Sequence, residues 1–158
     1  MFYKMITTAR DRWYQSPHCT VNSLVNYIIY TGQMRDAQIE AIKTYLFLKI
    51  GCENKPLNFL FSHGIFNNLN LNDIEVSNNV REYLEENPAD AALYEYSCIT
   101  NDTGEQVSEK LEKQIKKAPD SIDFDQFFND AFYNVSYTDY LFSLPMGAGK
   151  PYLMAAFI

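Results

Sequence analysis

Apolar residues recur at intervals of three to four positions along most of the chain, as they do on one face of an α-helix. Stripes of this kind cover six segments, residues 20–30, 34–50, 78–86, 88–96, 107–117 and 123–132. In the second segment, Ile39, Ile42, Leu46 and Ile50 share one predicted face. The pattern therefore predicts a mainly α-helical chain.

Residues at the ends of these segments fit helix termini. Thr20 and Ser77 are side chains that can accept hydrogen bonds from first-turn N–H groups, and Pro88 suits the first turn of a helix. Gly32 is expected to end the first helix in a left-handed conformation, and Gly51 to end the second.

Two short apolar runs depart from helical spacing. Residues 57–61 fit a strand or a helix, whereas the apolar and aromatic residues 140–144 are typical of a strand. Residues 152–158 then have the composition of a buried helix. The predicted fold is therefore mainly α, ending in the first strand and helix start of an α/β domain.

Composition restricts the class of protein. Apolar residues make up 47% and aromatic residues 15%, which excludes a disordered chain. No apolar run reaches the length of a membrane span, and the N-terminus does not resemble a signal peptide. The single, widely spaced cysteines Cys19, Cys52 and Cys98 fit a reducing cytoplasm, and the two histidines lack clustered partners. We expect a cytoplasmic protein without a membrane partner or a metal site.

The net charge is −7 and the pI about 4.7. A nucleic-acid-binding domain usually displays a basic face, because lysine and arginine neutralise the phosphates. Here lysines alternate with glutamates in residues 109–117, with two pairs at i, i+4. We therefore expect weak or no nucleic-acid binding by this chain alone.

The turn between the predicted last strand and helix has the sequence Leu-Pro-Met-Gly-Ala-Gly-Lys-Pro, residues 144–151. A phosphate-binding loop has the pattern G-x-x-x-x-G-K-[ST] in this position. Backbone N–H groups around Gly147, Ala148 and Gly149 would surround a polyphosphate, and Lys150 would add a positive charge. The alternative is a Gly-Pro-rich turn without a ligand.

Two positions depart from that pattern. Leu144 replaces the first glycine, and Pro151 replaces the hydroxyl that would bind Mg²⁺. Proline also offers no N–H group and disfavours a helical conformation at Lys150. The leucine-first form resembles motif I of the superfamily-two helicases and translocases, especially the DEAD/DEAH-box and type III restriction-subunit proteins, where alanine or leucine is common at the first position.

A second motif strengthens this resemblance. Arg35 and Gln38 form an R-x-x-Q at the start of an amphipathic helix. In superfamily-two enzymes such a glutamine contacts adenine, and an amide suits this role because it presents a donor beside an acceptor. The resemblance implies that Gln38 reads adenine and that Arg35 supports or stacks on the base. The alternative is a polar helix start.

The resemblance also implies a domain organisation. More than a hundred residues separate Gln38 from Gly147, whereas most relatives have a few tens. We therefore predict N-terminal helices in residues 1–51, a helical insertion or accessory region in residues 52–138, and the start of a RecA-like domain in residues 139–158. Gln38 and Gly149 should then face one pocket.

In function, the chain resembles the N-terminal fragment of a nucleic-acid-dependent ATPase or helicase, such as a motor subunit of a restriction or phage-defence system. ATP and Mg²⁺ would be the parent's cofactors, and nucleic acid its partner. The sequence contains no motif II, so we expect a truncated chain without catalytic residues and without tightly bound nucleotide.

The sequence leaves two other classes of function open. The chain fits a helical protein-interaction module whose Gly-Ala-Gly-Lys-Pro end is accidental. It fits a small enzyme of another class less well, because the sequence contains no paired carboxylates and no nucleophile–base signature.

Overall fold

The computed structural model describes residues 2–101, 103–132, 141, 143 and 149–156. These residues form nine α-helices: α1 (Phe2–Gln15), α2 (Asn22–Gly32), α3 (Asp36–Leu46), α4 (Leu57–Ser62), α5 (Asn78–Glu86), α6 (Pro88–Cys98), α7 (Glu109–Lys117), α8 (Phe124–Ala131) and α9 (Lys150–Ala155). A π-helical turn (Phe47–Gly51) continues α3, and 3₁₀ turns lie at Leu71–Asp73 and Pro119–Ser121. Within the described residues, β-structure is limited to an isolated bridge between Thr100 and Gln106. The predicted mainly α fold is confirmed.

The chain divides into two compact units. The first contains the described residues within Met1–Ala9 and Pro56–Ser136, and the second those within Arg10–Lys55 and Tyr137–Ile158. The sequence predicted three consecutive segments. In the structure, the described residues within 10–55 group with those near the end of the chain, and residues 2–9 group with the middle segment. The predicted organisation into an insertion and the start of a RecA-like domain stays a prediction.

Phenylalanine rings fill the core of the first unit. Phe61 and Phe66 are fully buried and meet edge to face with ring centroids 4.7 Å apart. Phe2 and Phe132 each contact Phe61 at 4.9 Å, and Phe128 of α8 is also buried. Aromatic pairs of this kind add about 0.5–1.5 kcal/mol beyond the burial of their area. The first unit thus has an aromatic core of its own.

Several predicted helix ends and pairs in the first unit are confirmed. Ser77 caps α5 by accepting a hydrogen bond from Val80 N at 3.4 Å, and Pro88 opens α6. Both i, i+4 pairs of α7 form, at 3.1 and 2.7 Å. The apolar run that fitted a strand or a helix lies in α4.

The predicted start of α2 is wrong, whereas its predicted end at Gly32 is confirmed, with the left-handed conformation one residue later. The helix begins at Asn22, whose Nδ2 donates to Tyr14 O at 2.8 Å, and no side chain caps it. At the other end the left-handed residue is Gln33 (φ 45°), whereas Gly32 stays within the helix. A Cβ at position 32 would lie 2.8 Å from Met34 Cε, so this glycine makes room for Met34.

The α-helix predicted over residues 34–50 is shorter in the structure, and its last part is π-helical. Arg35 is the N-cap of α3, which ends at Leu46 and passes into a π-helical turn. Ile42 is fully buried, but Ile50, predicted on the same face, is 43% exposed. A π turn contains more residues per turn, so the residues after it no longer continue the face set by the preceding α-helix.

A buried arginine joins α1 to α3 within the second unit. Arg10 is only 3% exposed, and its Nη1 donates to Glu40 Oε2 at 2.6 Å and to Thr44 Oγ1 at 2.9 Å. Nη2 forms an ion pair with Asp11 at 2.8 Å. A buried guanidinium is tolerated because these acceptors replace its lost hydration.

We expect Arg10→Met to destabilise the protein by about 2 kcal/mol, because the stem still packs while the bonds to Glu40 and Thr44 are lost. Urea denaturation followed by circular dichroism measures the change. Lys49→Met is the matched control, because Lys49 is exposed and its replacement should alter stability by less than about 0.5 kcal/mol. Equal stabilities of the two variants would contradict the anchoring role of Arg10.

Candidate functional site

The residues predicted to bind nucleotide lie at the starts of two helices in the second unit. Arg35 and Gln38 are at the beginning of α3. Gly149 directly precedes α9, and Lys150 is its first residue. Gly147 and Ala148 lie outside the described residues.

The Gln38 side chain connects these two helix starts. Its Oε1 accepts a hydrogen bond from Arg35 N at 2.8 Å, which caps the first turn of α3. Its Nε2 donates to Gly149 O at 2.8 Å, across 111 positions of the sequence. Gln38 is only 3% exposed. The prediction that Gln38 and Gly149 lie together is confirmed.

Gly149 has a backbone conformation that favours glycine. Its φ is +74°, and its carbonyl oxygen also accepts a bond from Leu153 N at 3.3 Å. The expectation that Pro151 would keep Lys150 out of a helix is wrong, because α9 begins at Lys150. First-turn N–H groups have no acceptor within the helix, so a proline there loses no helical hydrogen bond.

The strand predicted before this turn covers residues 140–144, of which the structure describes two. Leu141 and Ser143 lie in neither a helix nor a strand, and Leu141 is 94% exposed. Residues 140, 142 and 144 lie outside the described residues.

A partly open pocket of about 350 Å³ lies beside the Gln38–Gly149 contact. Six described residues line it: Thr31, Gly32, Gln33, Arg35, Gln38 and Gly149. This volume is at the lower end of the range for small-molecule sites. Lys150, which was predicted to bind phosphate, is exposed and is not among the described lining residues.

The sequence did not identify the lining residues at the end of α2. Thr31, Gly32 and Gln33 reach the pocket because the left-handed turn at Gln33 brings the end of α2 beside the start of α3. The sequence indicates these three lining residues only through their position shortly before the R-x-x-Q. Using that signal would have required the prediction of a turn at Gln33.

Charge is divided unequally between the two units. The segments 10–55 and 137–158 contain seven basic and five acidic residues, whereas residues 1–9 and 56–136 contain six and fifteen. The acidic character of the chain therefore belongs to the first unit. The unit with the pocket is slightly basic, which is compatible with an anionic ligand.

The described residues give little support for a metal site, a reactive thiol or a membrane-spanning helix. They include no group of three or more His, Cys, Asp or Glu side chains able to hold a metal ion. Burial raises the pKa of the Cys52 thiol to about 12, so this thiol is unreactive near neutral pH. No helix in the described part of the chain is both long and apolar enough to cross a membrane.

Asp90 in α6 is a buried acid in the first unit. The residue is 3% exposed, and its Oδ2 has no hydrogen-bond partner among the described residues. Burial raises its pKa from the usual 3.8 to about 6, a hydrogen bond with Tyr83 opposes this shift, and the charge of Asp125 adds to it. The carboxyl is therefore a cost to the folded state when it is ionised.

Comparisons with family models, with curated proteins and with solved structures found no match to this chain. The candidate site therefore rests on the contacts of Gln38 with Arg35 and Gly149 and on the pocket beside them.

We expect Gln38→Glu to release Gly149 while leaving the start of α3 formed. A carboxylate still accepts from Arg35 N, but it cannot donate to Gly149 O, and the two oxygens repel each other. Hydrogen exchange at the Leu153 amide should accelerate at least fivefold. Gln33→Glu, which places the same charge at the pocket without touching this bond, is the control. Unchanged exchange in Gln38→Glu would show that the bond does not hold α9.

We expect Asp90→Asn to stabilise the protein at pH 8 and to have little effect at pH 4. The folded state binds this proton more tightly, so the contribution is complete below about pH 4 and is lost as pH rises through about 6. The wild type should lose about 3 kcal/mol from this group between those limits. Denaturation at both pH values, with exposed Glu85→Gln as control, measures the difference. An equal effect at pH 4 and pH 8 would contradict the assignment.

Proposed function

We propose that the second unit is the adenine-nucleotide-binding part of a nucleic-acid-dependent ATPase or helicase of the superfamily-two type, and that this chain does not hydrolyse ATP by itself. The observation that carries the proposal is the hydrogen bond between Gln38 Nε2 and Gly149 O. This bond joins the R-x-x-Q to the loop sequence before α9, and each of these two motifs resembles a motif of that family.

Three features support an adenine nucleotide as the ligand. An amide nitrogen has two hydrogens and an amide oxygen two lone pairs, so the bonds to Gly149 and Arg35 leave Gln38 one donor and one acceptor as far as the described residues go. Gln38 lines a pocket large enough for a small molecule. The unit around the pocket carries a slight excess of basic residues.

Pro151 supports the proposal that this chain does not hydrolyse ATP by itself. A phosphate-binding loop holds Mg²⁺ through a serine or threonine hydroxyl at this position, and proline has none. Without the metal, the developing charge on a transferring phosphoryl group lacks its main stabiliser. We therefore infer that a nucleotide is held without being hydrolysed.

A second candidate is a helical protein-interaction module, and one observation favours it. Leu24, Tyr27 and Tyr30 of α2 are 51%, 67% and 88% exposed. They follow one another at intervals of three residues and so lie on one side of the helix. Under this alternative the α2 side chains would carry the function, and changes at Gln38 would not affect it.

We expect ATP to bind with a Kd weaker than about 10 μM, or less than about 7 kcal/mol. Gln38→Ala should weaken binding at least fivefold, because the adenine loses its hydrogen-bonding partner. Ligand-observed NMR with ATP up to about 1 mM measures both values, and Gln114→Ala, an exposed glutamine in α7, is the control.

Three outcomes would contradict the proposal. One is no detectable ATP binding at the highest concentration. Another is wild-type affinity in a folded Gln38→Ala variant, which would favour the interaction module. The third is turnover of ATP by the wild-type chain, which would contradict the inference drawn from Pro151.

A further inference from the structure

One side of α2 is exposed along most of the helix. Tyr27 lies at the centre of this side, and the positions three and four residues before and after it point in the same direction. Five exposed residues form this side, the α2 face: Ser23, Leu24, Tyr27, Tyr30 and Thr31. The opposite side contains Val25, which is 1% exposed. Helix α2 therefore buries one side and leaves the α2 face accessible.

The residue types on the α2 face are symmetric about Tyr27. Three positions away on either side are the large side chains of Leu24 and Tyr30, and four positions away are the hydroxyls of Ser23 and Thr31. When two copies of α2 pair antiparallel around a twofold axis at Tyr27, each Tyr27 meets its own copy. Leu24 of one copy then lies opposite Tyr30 of the other, and the hydroxyls lie opposite each other at both ends. The α2 face is therefore complementary to itself, as a twofold interface requires.

The charge of the chain also favours the α2 face as the place where a second copy binds. The net charge is −7, and repulsion between like charges opposes self-association. Helix α2 contains no charged residue, whereas every other described helix of at least eight residues contains one or more. Two α2 helices can therefore approach each other without placing like charges opposite each other.

The area of the α2 face sets the strength expected of such a dimer. Leu24, Tyr27 and Tyr30 are 51%, 67% and 88% exposed, and together they would bury about 400 Å² on each copy. A standard interface buries about 800 Å² per partner, and smaller interfaces are typical of weak, transient complexes. The expected dimer is therefore weak.

We propose that the α2 face binds the α2 face of a second copy of this chain, as an antiparallel pair centred on Tyr27. The interaction-module alternative leaves the partner of these side chains open, and this inference names it as a second copy. It does not depend on the proposed nucleotide site, because Gln38 and Gly149 lie outside the α2 face.

The test is sedimentation velocity of the full chain, for which we expect a dimer with a Kd on the order of 100 μM. Tyr27→Asp should weaken the dimer at least tenfold, because two carboxylates then meet on the twofold axis. Tyr3→Asp is the matched control, since Tyr3 of α1 is 55% exposed and its replacement adds the same charge outside the α2 face. The control should keep its Kd within twofold of the wild-type value.

A mixture of Tyr27→Asp and Tyr27→Lys tests the antiparallel arrangement. Each variant alone places like charges on the axis, whereas a mixed pair places opposite charges there. We expect the mixture to associate at least fivefold more tightly than either variant alone. Circular dichroism of each variant checks that the fold is retained.

Three results would overturn the inference. The first is a wild-type chain that stays monomeric up to about 1 mM, which would leave the α2 face to a different protein or to none. The second is a Tyr27→Asp variant that dimerises as tightly as the wild type, which would place the interface elsewhere. The third is a mixture that associates no better than its two components. The nucleotide proposal survives all three, because it is tested separately through Gln38→Ala.

Discussion

The arrangement of the second unit depends on the two hydrogen bonds of a single buried amide. Gln38 accepts from Arg35 N and donates to Gly149 O, so one side chain caps α3 and fixes the residue before α9. An amide with 3% exposure would cost about 1–3 kcal/mol if either bond were absent. That penalty holds the segment near residue 149 beside the start of α3, although the two are far apart in sequence.

The two units are stabilised by different means. The first packs phenylalanine rings around Phe61, and it also contains the buried carboxyl of Asp90, which destabilises the folded state when it is ionised. The second contains the buried guanidinium of Arg10, which α3 satisfies through Glu40 and Thr44. Because most acidic residues are in the first unit, the negative net charge of the whole chain says little about the ligand of the second.

Local features were predictable and contacts between distant residues largely were not. Ser77 and Pro88 set helix starts through their own chemistry, so the sequence places them correctly. The left-handed residue after α2 was predicted at Gly32 and lies one position later, at Gln33, which the choice of glycine in the sequence did not indicate. The meeting of Gln38 with Gly149 was predictable through a family resemblance alone, since no local pattern links positions 111 residues apart.

If adenine is the ligand, as proposed, weak binding is the physical expectation. Gln38 is satisfied by the protein before any ligand arrives, so an adenine gains only its second hydrogen and second lone pair. If a ligand displaced Gly149 O instead, the lost bond would offset most of the new one, because exchanged hydrogen bonds differ little in free energy. Under that proposal, the same contact that organises the pocket also limits its affinity for adenine.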